Sequence, residues 1–471
     1  ILLEVYVVMN SAIASGTCAM ARIQPKITEA PTANMTVEVR VQLRHGRLWS
    51  PEDPFLYVVE SSTGGDSLNT RFGMREFRFD AATKRAYLNG KVYYLRGSNI
   101  TLHRFFEDPL CQGRPWDEGW VRKLLGDLPK KMHWNYFRFC IGPVPDRWLD
   151  ICDEVGLLIQ NEFFVWTGGP GWYQGYSRTH DADEMIRQYK DWMRDNWNHP
   201  SVAVWDANNE TKDDIFGATI IPAVRSLDLS DRAWENSYNK PAGPNDPVED
   251  HPYLMSSGHR GKLTFSMTQL ETMDSKPNKG QLPSDTNPAL INEYGWLWLN
   301  RDGSPTRLTE GVYAQLMGTN VTTRQRLDMY AYLLGAKTEF WRAHRQYAGI
   351  IHFVYLTCSY PGVYTADHFA DVTKIKLDPA FALAHAGCHA GSLVVAPFNG
   401  RLFAPARTPF AETGRLDDRL VADALMALTT LAVGGRRARR SAARRDAWWS
   451  SAPTARSCAR SRARRAASRF E

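Results

Sequence analysis

Two glutamates stand out in this 471-residue sequence because of where they sit. Glu210 closes the run Trp205-Asp206-Ala207-Asn208-Asn209-Glu210. Glu293 lies in Pro288-Ala289-Leu290-Ile291-Asn292-Glu293-Tyr294-Gly295-Trp296. Each follows a short apolar run of strand type. Two carboxylates facing each other across a pocket can cleave a glycosidic bond. One must keep its proton near neutral pH while the other is ionised. An apolar pocket or a neighbouring carboxylate raises the pKa of the acid, and hydrogen-bond donors stabilise the ionised partner. A separation of about 5–5.5 Å implies retention through a glycosyl-enzyme ester, and a wider gap implies inversion.

The elements that must carry these groups are legible from residue 95 onward. Short apolar runs alternate with amphipathic helices. The runs are Tyr94 to Gly97, Tyr136 to Phe139, Leu157 to Phe163, Val202 to Asn208, Ala233 to Ser237, Val248 to Tyr253, Ala289 to Glu293 and Gly349 to Leu356. Trp120, Val121, Leu124, Leu125 and Leu128 mark one helix face, and Met185, Tyr189, Trp192 and Trp197 mark another. Trp148, Leu149, Cys152 and Val155 mark a third, which Gly156 should stop. This alternation predicts an α/β chain folded as a (β/α)8 barrel, with catalytic groups at the C-terminal ends of its strands.

Residues 1–80 read differently. Ile1 to Val8, Leu56 to Glu60 and Phe77 to Phe79 look like strands, and Met35 to Leu43 alternates apolar and polar residues strictly. Together they predict a small β-sandwich, incomplete at its start. Asn89-Gly90 between two short strands predicts a type I′ hairpin. The expected organisation is a sandwich over 1–80, a catalytic barrel over 81–380, a partial C-terminal region over 381–433 and an Arg/Ala-rich tail over 434–471, disordered or out of frame. Phe381 to Pro405 reads as the entry to a further β-domain, and Leu420 to Val433 as a helix. Beyond Gly434 the chain has almost no aliphatic residue larger than Ala and cannot bury a core.

Charge narrows the function classes. The formal net charge is +6, but Arg436 to Glu471 holds twelve Arg and two acidic residues, so the preceding residues are net acidic. An Arg-rich nucleic-acid binder would therefore depend on the tail alone. Seven cysteines without a Cys-x-x-Cys pair argue against a disulfide scaffold. Ile1 to Ala21 is too interrupted for a spanning helix. The histidines are scattered, with no His-Glu-x-x-His and no Cys/His cluster, so no metal is expected. No Gly-rich phosphate loop follows a strand, and Gly168-Gly169-Pro170-Gly171 reads as an active-face rim and not as a phosphate cradle.

From Leu48 to Pro379 the sequence resembles glycoside hydrolase family 2, which contains β-galactosidases, β-glucuronidases and β-mannosidases. Leu48-Trp49-Ser50-Pro51 through Phe72-Gly73-Met74-Arg75 is similar to the family's immunoglobulin-like domain. Leu88-Asn89-Gly90 to Ser98-Asn99 is similar to its first barrel strand, and Asn135-Tyr136-Phe137-Arg138 to its second. Cys152 to Leu158 is similar to the helix entering the third strand, and Asn198-His199-Pro200-Ser201-Val202 to the lead into the fourth. The resemblance implies an immunoglobulin-like sandwich followed by the barrel, and retention of configuration. It implies Glu210 as acid/base and Glu293 as nucleophile. Asn209 then matches an Asn that binds the sugar 2-hydroxyl, and Arg138 an Arg that keeps the nucleophile ionised. Family members usually begin with a jelly-roll sugar-binding domain, so this sequence is expected to be a central piece of a longer hydrolase.

Other residues fit the same pocket. Asn99 and His103 follow the first strand and could touch a sugar hydroxyl. Tyr253, in His251-Pro252-Tyr253, could donate to the nucleophile. Trp166, Trp172 and Trp296 could stack on a pyranose face. Glu162 reads as a pocket or structural acid, and Asp206 as a neighbour of the acid/base. Where the family often has Trp on the eighth strand, this chain has Ile351-His352-Phe353-Val354-Tyr355, which alters a stacking wall. The expected activity is that of a retaining exo-β-glycosidase without a cofactor. Its partner is a carbohydrate substrate, with no nucleic acid and no membrane, and homo-oligomerisation stays open. The galactosidase and glucuronidase branches fit better than the mannosidase branch. A non-catalytic carbohydrate-binding homologue is the rival.

Overall fold

The computed structural model describes residues 4–9, 20–23, 46–62, 67–166, 181–253, 287–343, 347–379, 381, 396–398 and 401–403. The expected strand Met35 to Leu43, the Gly168 to Gly171 loop, Trp172, the helix Leu420 to Val433 and the Arg-rich tail lie outside these residues, as does most of Phe381 to Pro405. Among the described residues no helix is long and apolar enough to cross a membrane.

The N-terminal strands form an antiparallel sheet of β1 (Glu4–Met9), β2 (Met20–Ile23), β3 (Tyr57–Ser62) and β4 (Ser67–Phe72), in the order β2-β1-β3-β4. β5 (Phe77–Asp80), β6 (Arg85–Leu88) and β7 (Lys91–Val92) follow as a meander. Asn89 and Gly90 take φ of 51° and 77°, the two positive values that the Asn-Gly pair predicts.

Eight strands then form one parallel sheet. They are β8 (Leu95–Ile100), β9 (Tyr136–Phe139), β10 (Leu158–Glu162), β11 (Val202–Asp206), β12 (Ala233–Glu235), β13 (Val248–Asp250), β14 (Ala289–Ile291) and β15 (Tyr347–Leu356). Their order, β12-β11-β10-β9-β8-β15-β14-β13, closes the first strand onto the eighth and leaves a seam between the fifth and sixth. The fold is thus a nearly closed (β/α)8 barrel preceded by a sandwich domain. Every run expected from the sequence overlaps one of these strands, with β8 running on to Ile100 and β15 starting earlier, at Tyr347. β12 and β13 have three residues each and stop short of the predicted Ser237 and Tyr253. Each has a backbone-paired neighbour on one side only, which leaves half its ladder unmade.

The helices bury the expected faces. Trp120, Val121, Leu124 and Leu125 are buried, as are Trp148, Leu149, Cys152, Met185 and Tyr189. Burying each large apolar side chain contributes roughly 1.5–3 kcal/mol. Gly156 ends the helix Asp146–Val155 at φ 77°, and any Cβ there would stand 2.4 Å from the Pro51 carbonyl oxygen. That close approach brings the sandwich end against the barrel. Trp49 reinforces the joint by donating to the Asp153 carbonyl at 2.9 Å. Gly97 is needed for another reason: a Cβ there would lie 1.7 Å from the Tyr136 carbonyl oxygen, on the strand that carries Arg138.

Candidate active site

Parallel strands put all their C-terminal ends on one face. β9, β11 and β14 deliver Arg138, the Asn209-Glu210 pair and Glu293 to that face. After β11 the backbone keeps its course. Asn209 bridges to Trp166, and its N–H donates to the Val165 carbonyl at 2.8 Å. Glu210 then turns into the left-handed region at φ 41°, an unfavourable conformation for a residue with a long side chain. After β14, Asn292 N–H donates to the Asp250 carbonyl at 3.0 Å, and Glu293 follows.

Arg138 is fully buried and joins the two sides of the site. It donates to Glu293 Oε1 at 2.7 Å, to Asn209 Oδ1 at 2.9 Å and to Asp206 Oδ2 at 2.9 Å, and it also pairs with Glu162 at 3.0 Å. Tyr253 donates a short hydrogen bond to the second oxygen of Glu293. Glu293 therefore has a donor on each oxygen. Carboxylate oxygens of Glu210 and Glu293 and the Nδ1 of His251 lie within 4.8 Å of one another.

Glu210 has its own donors. Tyr238 reaches Oε1 at 3.0 Å, Trp166 Nε1 donates to Oε2 at 3.2 Å, and His251 Nδ1 lies 3.2 Å from Oε1. Burial works against ionisation of Glu210, but His251 and then Tyr238 outweigh it and hold the carboxyl below its usual range. The sequence-based expectation of a raised acid pKa is corrected here, because donors and a cation, not an apolar wall, surround this carboxyl. The raised group is His251. Burial pushes its pKa down, yet Glu293, Glu249 and Glu210 carry it well above the ordinary histidine value. The proton expected on the acid thus rests on its histidine neighbour, with Nδ1 also 3.7 Å from Glu293.

The remaining candidates separate by what they touch. Asn99 commits its amide N–H groups to the carbonyls of Asn292 (2.7 Å) and His352 (3.1 Å), which steadies the residue before Glu293. His103 is kept neutral at neutral pH, its pKa pushed to about 4 by burial and then by Arg104. Trp296 sits edge-on to Tyr253 at 5.1 Å between ring centroids and donates to the Leu308 carbonyl at 3.3 Å. Phe353 of the eighth strand stands in the same wall, edge-on to Tyr253 with centroids 6.5 Å apart. Glu162 and Asp206 are both fully buried beside Arg138. Burial lifts the Asp206 carboxyl to about 6.

Sequence reasoning missed Tyr238, the electrostatic part of His251, and the buried acids Glu235 and Glu249 below them. His251 stands two residues before Tyr253, so a strand-end His beside a strand-end Tyr was a usable signal. Glu235 closes β12, and its carboxylate is reached by Gln160 and by Asn292, which also donates to Glu249 at 2.8 Å. Asn292 thus joins β12 to β13 by side chain across the seam that the backbone leaves open.

Two acidic groupings at the barrel mouth have donor atoms close enough for a cation, namely Glu210–His251–Glu293 and Asp206–Glu235–Glu249. Neither fits one well. The first is built around a protonated His251, which is not a ligand in that state. The second already accepts from Gln160, Asn292 and Arg138.

Similarity to known proteins agrees with this arrangement. Residues 80–317 match the description "Glycosyl hydrolases family 2, TIM barrel domain", and residues 10–75 match "Glycosyl hydrolases family 2". The chain belongs to glycosyl hydrolase family 2. A putative β-glucuronidase of Formosa agariphila is 28% identical over 208 residues, covering 40% of this chain and 19% of that protein. A β-galactosidase of Vibrio vulnificus is 28% identical over 338 residues, covering 68% and 27%. The chain thus matches about a quarter or less of the length of these curated relatives. The fold is shared with a Bacteroides uniformis β-glucuronidase, described as covalently bound to a cyclophellitol-6-carboxylate aziridine. That structure has a TM-score of 0.57 and 20% identity, covering 84% of this chain and 47% of that one. A Ruminococcus gnavus β-glucuronidase in complex with D-glucaro 1,5-lactone has a TM-score of 0.58 at 17% identity, covering 82% and 63%.

Proposed function

We propose that this chain carries the catalytic centre of a retaining exo-β-glycosidase of the glucuronidase or galactosidase type. The observation that carries the proposal is that an oxygen of Glu210 lies within 4.8 Å of an oxygen of Glu293, an approach that fits the roughly 5–5.5 Å of a retaining pair better than the roughly 6.5–9.5 Å of an inverting one. Glu293 attacks the anomeric carbon. Arg138 and Tyr253 hold it aimed, with one donor on each oxygen. Glu210 protonates the leaving oxygen and then deprotonates the water that cleaves the ester.

The proton for the first step is shared by Glu210, His251 and Tyr238. His251 carries it in the resting site. Sugar entry expels water and favours the neutral form of the pair, in which the proton lies on Glu210. Once the ester forms, Glu293 has lost its charge and the depressed Glu210 suits the base role. Asn209, fixed by Arg138, presents its amide N–H groups to the sugar 2-hydroxyl.

A panel of nitrophenyl β-glycosides tests this reading on wild type, Glu210→Ala and Glu293→Ala. Wild type is expected to hydrolyse a β-glucuronide or a β-galactoside. Glu293→Ala should lose on the order of 10⁴-fold or more in kcat. Unchanged activity in Glu293→Ala would remove the nucleophile assignment.

A further inference from the structure

The large aromatic side chains that stand exposed among the described residues share one location. Phe106, Trp116, Phe164, Trp166 and Tyr364 are each at least 40% exposed. All five lie in segments that follow the C-terminal ends of β8, β10 and β15, on the face that carries Glu210 and Glu293. Exposed aromatics scattered by chance would also decorate the helices and the opposite face.

Contacts between the loops join these rings into one surface. Phe106 stacks on Trp116 with centroids 5.8 Å apart and planes 21° apart. The next residue, Glu107, accepts from Tyr360 at 2.9 Å, which ties the loop after the first strand to the loop after the eighth. Trp166 connects the surface to the catalytic pair through its bond to Glu210.

Two guanidiniums run along the same arc. Arg104 lies 5.6 Å from the Trp166 ring centroid and donates to Thr365 at 3.0 Å. Arg307 lies 5.1 Å from the Tyr364 ring and takes its hydroxyl as acceptor at 3.3 Å. Among the described residues neither forms an ion pair with a carboxylate, whereas Arg71 of β4 and Arg122 and Arg147 of the outer helices all do. A cation held over a ring and not over a carboxylate remains available to an anion.

We propose that these exposed rings at the barrel mouth, with Arg104 after the first strand and Arg307 after the seventh, form an extended binding surface for an acidic oligosaccharide. The sugar rings would lie on the aromatic faces, and their carboxylate or sulfate groups would meet Arg104 and Arg307. Aromatic planes fit pyranose C–H faces, and the two arginines select chains that carry negative charge. The proposal rests on the glycosidase reading, because the chain's terminal sugar enters between Glu210 and Glu293 while the rest crosses this surface.

Calorimetric titration with β-1,4-linked glucuronate tetramer, cellotetraose and methyl β-glucuronide tests it, alongside hydrolysis of nitrophenyl β-glucuronide. The acidic tetramer is expected to bind at least about tenfold more tightly than either other ligand, with an affinity that falls as salt rises. In Trp116→Ala and in Arg307→Gln the ratio of tetramer to monosaccharide affinity should drop about tenfold. Equal binding of the acidic and neutral tetramers overturns the proposal, as does an unchanged ratio in both variants. Tetramer binding by a protein that turns over no glycoside leaves the surface standing and rejects the glycosidase reading instead.

Discussion

Arginine meets carboxylates in two parts of this molecule, with opposite results. On the outer face of the barrel, next to β4, Arg71, Arg122 and Arg147 converge on Glu154, and Arg71 and Arg147 also reach Asp150. Burial works against ionisation of Glu154, but the three guanidiniums outweigh it and bring its pKa to about 2. Three guanidiniums there meet three acids, Glu118, Asp150 and Glu154, each acid reached by at least two of them, and the network pins the helix Asp146–Val155 to the sandwich sheet. Inside the barrel the acids outnumber the cations. Arg138 is the central cation for Glu162, Asp206, Glu249 and Glu293, with Glu235 beside them. Burial raises the carboxyls of Glu162 and Glu235 well above their usual range, and that of Asp206 to about 6. Arg138 and the protonated His251 are too few for that many buried acids, so further protons stay in the site. The surface network fixes structure, and in the proposed reaction the interior one stores the proton that hydrolysis needs.

The comparison can be broken most severely at Arg138. Arg138→Met leaves several buried acids without their cation and should destabilise the protein by roughly 3–5 kcal/mol, read as a lower midpoint in urea unfolding. A midpoint equal to wild type would show that the interior acids do not depend on it. Next in size is Tyr253→Phe. Loss of its bond to Glu293 should lower kcat by about 10- to 100-fold while the fold persists by circular dichroism.

His251→Gln tests the stored proton through pH. In wild type the Glu210–His251 pair keeps one proton until His251, raised well above its usual value, gives it up. With Gln at 251 the proton can sit only on a carboxyl, so the alkaline limb of kcat/KM should move to lower pH. A limb that stays in place would assign the proton elsewhere. The smallest effect belongs to the outer network. Because the folded-state pKa of Glu154 is depressed, its contribution is present above its ordinary pKa of 4.5 and fades as pH falls through about 2. Glu154→Gln should therefore cost about 1 kcal/mol at neutral pH, with the difference from wild type closing in acid.

This division also explains what the sequence disclosed. Strand runs and helix faces were legible because burial imposes a local period, and the Glu210 and Glu293 strand ends were legible because a barrel places such ends on one face. Arg138 and Asn209 came from resemblance to a family, and the structure joins them by a hydrogen bond between residues 71 positions apart. Tyr238 and His251 were missed as partners of Glu210 because their meaning depends on how β12 and β13 end beside the open seam. The direction of the Glu210 pKa could not be read either, since it depends on which donors the fold brings within about 3 Å of one oxygen.

Reaction with a 2-deoxy-2-fluoro β-glycoside of the preferred sugar, followed by peptide mass spectrometry, tests the central claim most directly. The account predicts a stable glycosyl ester on the peptide that contains Glu293, and none in Glu293→Ala. A protein that cleaves the parent glycoside yet forms no such adduct, or carries it on Glu210, would contradict the account.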